Sequence, residues 1–186
     1  STFPGEGGTI HVIDNQLSQL LEMGIPAAGN VPELFPSKED EQRARHFFDA
    51  HAIAPYDFTV AMHIGSGSRK KVWPPDRFAQ LAETFVTRKS ARIVILTGPA
   101  DAEMERAYRE RTPSGTSIML NCHPLPEIAA ILKRCSIFVG NDSGITHLAA
   151  ASGAPVIALF GSTDPQVWGP RGKDVTILGG GAACSP

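Results

Sequence analysis

The sequence predicts an α/β protein in which a parallel sheet is covered by helices on both faces. From Pro55 onward, short apolar runs alternate strictly with segments of helical period. Such alternation implies parallel strands joined by right-handed crossovers. The runs Ile93-Val94-Ile95-Leu96 and Val156-Ile157-Ala158-Leu159-Phe160 are almost unbroken in apolar character, as central strands buried on both sides require. The 18 glycines and 15 prolines punctuate these segments without forming repeats, which is turn chemistry.

The elements follow in order. Ile13, Leu17, Leu20 and Leu21 have the i, i+4, i+7, i+8 spacing of an amphipathic helix, which Gly24 and Pro26 end. A loose stretch from Pro26 to Pro36 follows. Ser37-Lys38-Glu39-Asp40 opens a second helix with a near capping box, acids in its first turn, and Arg43, Arg45 and His46 further on, as the helix dipole prefers. Residues 1–54 are therefore expected to be a linker and helical arm without a strand, its first apolar stripe facing a partner outside the chain. Residues 55–186 are expected to hold the sheet. Its strands are predicted at Phe58–Ile64, Arg92–Leu96, Ser117–Leu120, Ile137–Val139, Val156–Phe160 and Val175–Leu178. Helices are predicted on the face Phe78, Leu81, Ala82 and Phe85, then over Ala100–Arg111, Leu125–Arg134 and Ile145–Ser152.

Composition narrows the function. Of 186 residues, 42% are hydrophobic and 19% charged, with 17 basic against 19 acidic side chains and a net charge of −2. That length suits one core, and the near-neutral balance argues against a nucleic-acid partner. No apolar stretch approaches the ~18–20 residues that span a bilayer, so a soluble, cytoplasmic domain is expected. Cys122, Cys135 and Cys184 lack C-x-x-C spacing and read as buried structural thiols.

In a parallel sheet the ligand crevice lies outside the carboxyl ends of the strands. The loops predicted there carry the unusual chemistry. Gly65-Ser66-Gly67-Ser68-Arg69-Lys70-Lys71 combines small residues, hydroxyls and cations, which suit a diphosphate; it is neither a Walker A loop nor G-x-G-x-x-G, and a solvated basic loop is the alternative. Gly140-Asn141-Asp142-Ser143-Gly144-Ile145-Thr146-His147 gathers polar groups at a helix amino end, where an anion is favoured, or forms only an elaborate helix cap. Ser143 lies in G-N-D-S-G, not the G-x-S-x-G of a nucleophile elbow. Acids after Thr97-Gly98-Pro99 stand at a helix start, where the dipole alone accounts for them and a ribose hydroxyl is the functional alternative. In the loop after Phe160, Asp164-Pro165 starts a turn, and Trp168 is expected at the core edge in preference to a pocket mouth.

Together, His63-Ile64-Gly65-Ser66-Gly67-Ser68 with Lys71-Val72-Trp73-Pro74, Leu96-Thr97-Gly98 with Glu103, Asp142-Ser143-Gly144-Ile145-Thr146-His147-Leu148-Ala149, and Phe160-Gly161-Ser162-Thr163-Asp164-Pro165 with Trp168-Gly169-Pro170 resemble the carboxy-terminal half of the lipopolysaccharide heptosyltransferases, glycosyltransferase family 9. The resemblance runs from residue 55 to 172. It implies a Rossmann-like domain, one half of a GT-B glycosyltransferase, holding a nucleotide-diphospho-sugar of the ADP-heptose type. Ser66, Gly67 and Ser68 would touch the diphosphate, and Lys71 would offset its charge. Glu103 would hold the ribose, with Asp101 as its substitute. Asp142, Ser143, Gly144, Thr146 and His147 would surround the phosphates and sugar, Asp142 reaching sugar hydroxyls or amides.

The reaction so implied is inverting transfer of heptose to a lipopolysaccharide core acceptor, with Lys71 and Asp142 as the catalytic residues of this half. No D-x-D pair occurs, so no metal or other cofactor is expected, and the leaving diphosphate would be stabilised by Lys71, loop amides and a helix end. The general base is implied to lie in an amino-terminal domain, both chain ends are expected to be truncated, and the chain alone is expected to bind nucleotide without transferring. The resemblance places the longer protein at the inner face of the inner membrane, as a peripheral partner. Two other readings stay open: a nucleotide-sugar epimerase or hydrolase half, and a non-catalytic α/β nucleotide-binding module.

Overall fold

The computed structural model describes residues 9–179. Two helices, α1 (Val12–Glu22) and α2 (Lys38–Ala50), precede alternating strands and helices: β1 (Thr59–His63), α3 (Pro75–Lys89), β2 (Arg92–Thr97), α4 (Ala102–Arg111), β3 (Ser117–Asn121), α5 (Leu125–Leu132), β4 (Ile137–Asn141), α6 (Gly144–Ala151), β5 (Val156–Phe160), α7 (Pro165–Trp168) and β6 (Val175–Gly179). The six strands form one parallel sheet in the order β3-β2-β1-β4-β5-β6. This is the doubly wound Rossmann arrangement. The order reverses between β1 and β4, and the crevice opens at that reversal.

Period-two alternation sends the strands' side chains to two cores. Ala61, Val94, Leu96 and Phe138 pack against α2, α5 and α6 through Phe47, Phe48, Ile131 and Ala149. Val60, Met62, Ile93, Ile95 and Val139 pack against α3 and α4 through Phe78, Ala82 and Tyr108. The most enclosed strand is β1, buried along its whole length despite the mixed sequence Thr-Val-Ala-Met-His. By contrast the wholly apolar β5 alternates between buried and half-buried. Position in the sheet accounts for this: β1 and β4 are central, while β5 lies next to the edge strand β6.

The described part of the expected arm, residues 9–54, divides in the structure. Ser37 and Asp40 form a reciprocal capping box on α2, and Ala44, Phe47 and Phe48 are part of the sheet's core. Helix α1 has no buried residue. It is held at its amino end: His11 Nε2 lies 2.8 Å from the Gly169 carbonyl, and both Asp14 oxygens meet the Arg171 guanidinium. That guanidinium's hydrogen bonds pull the Asp14 carboxyl down to about 2. Leu20, Leu21, Met23, Ile25 and Phe35 remain exposed along this segment.

The cysteine expectation holds for one of the three residues. Cys135 is buried, which pushes its thiol up to about 12. Cys122 is exposed, because it turns the chain out of the edge strand β3 with a φ of +54°. Cys184 lies outside the described residues. Trp168 is 41% exposed and joins neither core, because the four-residue α7 leaves the polypeptide at the surface.

Candidate functional site

A cavity of about 550 Å³ opens at the carboxyl ends of β1 and β4. Its wall includes His63, Ser66, Gly67, Asp101, Ser143 and His147. Three strand-to-helix loops build it, each positioned by the strand before it.

The loop after β1 is anchored from β4. The wholly buried Asn141 donates from Nδ2 to the Gly65 carbonyl at 3.0 Å, and its Oδ1 accepts from the Trp73 N–H at 2.8 Å. One side chain thus satisfies both ends of the glycine and serine loop, whose middle is a single 3-10 turn, Arg69–Lys71. Ser66 Oγ then donates to the Asp142 carbonyl at 2.9 Å. Gly65 is required by proximity: a Cβ there would lie 1.9 Å from Asp101 Oδ1.

The loop after β4 opens helix α6. Ser143 takes the cap position without a side-chain cap bond. The amides of Gly144 and Ile145 therefore have no upstream partner, and the space where a Gly144 side chain would stand is open. Thr146 is buried and donates to the Asn141 carbonyl at 2.5 Å, which orients the turn without reaching the cavity. A helix amino end with open amides and the positive end of its dipole suits an anion.

Charge is arranged both beside this cavity and in its wall. Lys71 Nζ lies 2.7 Å from Asp142 Oδ2, and the Thr163 hydroxyl donates to the same oxygen at 2.6 Å. Asp142 is 6% exposed, so most of its carboxylate is satisfied within the protein. The cavity wall itself carries Arg171 and the carboxylate of Asp101. Asp101 is held below the usual carboxylate range by His63, opposed by burial and assisted by the Gly98 N–H at 2.8 Å. Burial pulls the His147 imidazole below its ordinary value, with the Asp142 charge acting in the other direction.

The ten sequence-derived positions separate accordingly. Ser66, Gly67, Ser143, Gly144 and His147 line the cavity. Lys71 and Asp142 form a pair next to it, and Thr146 supports the α6 turn. Ser68 is exposed at the start of the 3-10 turn. Glu103 points to solvent in an ion pair with Arg69, whereas Asp101, the substitute for Glu103, lies in the wall. Sequence reasoning assigned no role to His63, Asn141 or Arg171. The first two carried a signal: each is a polar residue at the carboxyl end of a strand.

No helix among the described residues is long and apolar enough to cross a membrane. Among the same residues, no group of three or more His, Cys, Asp or Glu side chains is placed to hold a metal ion.

Known proteins resemble the chain in sequence and in fold. A lipooligosaccharide heptosyltransferase 2 of Haemophilus influenzae is 34% identical over 166 residues, covering 83% of this chain and 47% of that protein. A glycosyl transferase family 9 structure from Veillonella parvula superposes with a TM-score of 0.83 at 29% identity, over 92% of this chain and 50% of that one. An Escherichia coli heptosyltransferase solved with ADP shares the fold, with a TM-score of 0.60 at 23% identity, over 73% of this chain and 42% of that one. The chain thus spans about half the length of the first of these relatives. The model of glycosyltransferase family 9 (heptosyltransferase) matches residues 9–186, nearly the whole sequence, and the chain belongs to that family.

Proposed function

We propose that this chain is the donor-binding half of an inverting glycosyltransferase that moves heptose from an ADP-heptose type donor to a lipopolysaccharide core acceptor. The observation that carries the reading is the cavity at the β1/β4 reversal, where the open amino end of α6 faces the Ser66-Gly67 loop. An E. coli fold neighbour solved with ADP, and again with ADP-2-deoxy-2-fluoro heptose, supports the donor class. The amides of Gly144 and Ile145, with the Ser143 hydroxyl, receive the diphosphate oxygens, while Ser66, its hydrogen given to the Asp142 carbonyl, ties the two loops that flank them. Lys71, held by Asp142, supplies the adjacent positive charge as negative charge grows on the leaving diphosphate. Asp101, in the wall where Glu103 is not, accepts from a ribose hydroxyl in this reading. Metal-independent catalysis follows from this division of labour, because cations and a helix end offset the charge.

The wall's one carboxylate among the described residues, Asp101, already accepts from Gly98 and faces His63. The base that deprotonates the acceptor is therefore assigned to the half of the relatives' length that this chain does not match. Calorimetry with ADP tests the reading. Micromolar to millimolar binding by the chain, with heptosyl transfer only when the whole protein is present, is the expected result. No heat at millimolar ADP, or donor hydrolysis or epimerisation without acceptor, would overturn it.

A further inference from the structure

His63 ends the central strand with both ring nitrogens engaged. Nε2 lies 3.4 Å from Asp101 Oδ2, and Nδ1 lies 3.1 Å from Ser143 Oγ. The ring is buried, and the other charged or titratable groups of the cavity wall are Asp101, His147 and Arg171. The flanking strands present Leu96 and Gly140 in register with it, neither of them charged. The Lys71–Asp142 pair stands in the adjoining loops.

Hydrogen counting fixes what this arrangement can do. A carboxylate only accepts, so Nε2 carries a hydrogen toward Asp101. In the neutral ring Nδ1 is then bare and accepts from the Ser143 hydroxyl. Thr146 adds no donor there, because its own hydrogen goes to the Asn141 carbonyl, and at 3.2 Å from Ser143 Oγ it is a slightly more distant acceptor than Nδ1. With the bare Nδ1 as the nearer of these two acceptors, the single Ser143 hydrogen is held within the protein and away from the cavity. When the ring is protonated, Nδ1–H donates to Ser143 Oγ and the hydroxyl hydrogen is released.

We propose that His63 is a positioning residue that couples anion binding to proton uptake: a phosphate oxygen at the start of α6 receives the Ser143 hydrogen bond only when both ring nitrogens of His63 carry hydrogen. The proposal rests on the diphosphate reading above and adds to it a bound proton. Asp101 stabilises the imidazolium without itself moving. With one proton linked to binding, affinity falls as pH rises, by at most about tenfold per pH unit.

Calorimetry in two buffers of different ionisation enthalpy, with ADP and separately with inorganic pyrophosphate, counts the protons taken up. The probes' own phosphate ionisation near pH 6 is common to every protein, so each titration is repeated with His63→Asn, whose amide can donate to Ser143 but does not titrate. At pH 7.5 the native chain is expected to take up more protons per ligand than the variant, and its affinity to fall about tenfold more steeply between pH 6.5 and 8. Equal proton counts with binding intact would overturn the role of His63 and leave the donor reading standing. Failure of both probes to bind at millimolar concentration would overturn both. Ser143→Ala, which leaves His63 in place, must also abolish the excess uptake, and its persistence there would overturn the coupling.

Discussion

Lys71 and Asp142 stand 2.7 Å apart, Nζ to Oδ2, with Thr163 bonded to the same carboxylate oxygen. The pair joins the loop after β1 to the loop after β4. Asp142 both orients the lysine and cancels part of its charge. The two halves of the pair should therefore respond in opposite senses. Lys71→Ala is expected to weaken ADP binding by about tenfold or more, and to cost roughly 1–2 kcal/mol of stability, discounted because the lysine is partly exposed. Asp142→Asn is expected to bind ADP as tightly as the native chain or severalfold more tightly. Titration calorimetry on both variants checks this, and matched losses would contradict it.

Asn141 is the hinge pin of the site. Replacing it with Ala strands the Trp73 N–H and the Gly65 carbonyl inside the protein. Unsatisfied buried groups cost about 1–3 kcal/mol each, so Asn141→Ala should lower Tm by roughly 5–20 °C for a domain of this size. Scanning calorimetry gives the shift, and a change below about 2 °C would show that water replaces the amide.

Helices α1 and α2 should differ sharply in their hold on the domain. Phe47→Ala opens the core beneath α5 and should cost about 3–5 kcal/mol. Arg171→Ala removes the Asp14 contact at the surface, so it should speed amide exchange across Val12–Glu22 while leaving Tm nearly unchanged. Exchange mass spectrometry with thermal melts separates the two outcomes.

Stability should fall toward acid in two stages. The imidazole of His147 is depressed in the folded state, so the unfolded chain binds the more protons below about pH 6.5. Its contribution is complete above that value and declines as pH drops toward the folded value. The Asp101 carboxyl is likewise lowered, so its contribution is complete above about pH 4 and is lost only below that. Denaturant titrations from pH 7.5 to 3 should show both stages. His147→Gln should remove the first and spare the second.

Much of the fold was legible because strand and helix periods are local properties. All six strands lie within two residues of their expected positions, and the capping box at Ser37 and Asp40 forms as its spacing suggests. Less visible was the identity of the central strands, since apolar content marks β5 while sheet order centres β1 and β4. The site divides similarly. Ser66, Gly67, Ser143, Gly144 and His147 reach the cavity, as loop position and residue type suggest. Whether Glu103 or Asp101 would enter it depended on the direction in which α4 begins, which no local pattern encodes.

The amino-acid sequence by itself determined the alternation of elements, the loops that would share one end of the sheet, and the family motifs those loops carry, because each depends on residues close together in the chain. Only the tertiary structure decided the partnerships His63 with Asp101 and Ser143, Asn141 with Gly65 and Trp73, and Lys71 with Asp142. These join positions separated by 38 to 80 residues of a chain that meets itself where β1 lies between β2 and β4. That adjacency comes from packing two apolar faces of one sheet, and it converts separately ordinary polar residues into a single site.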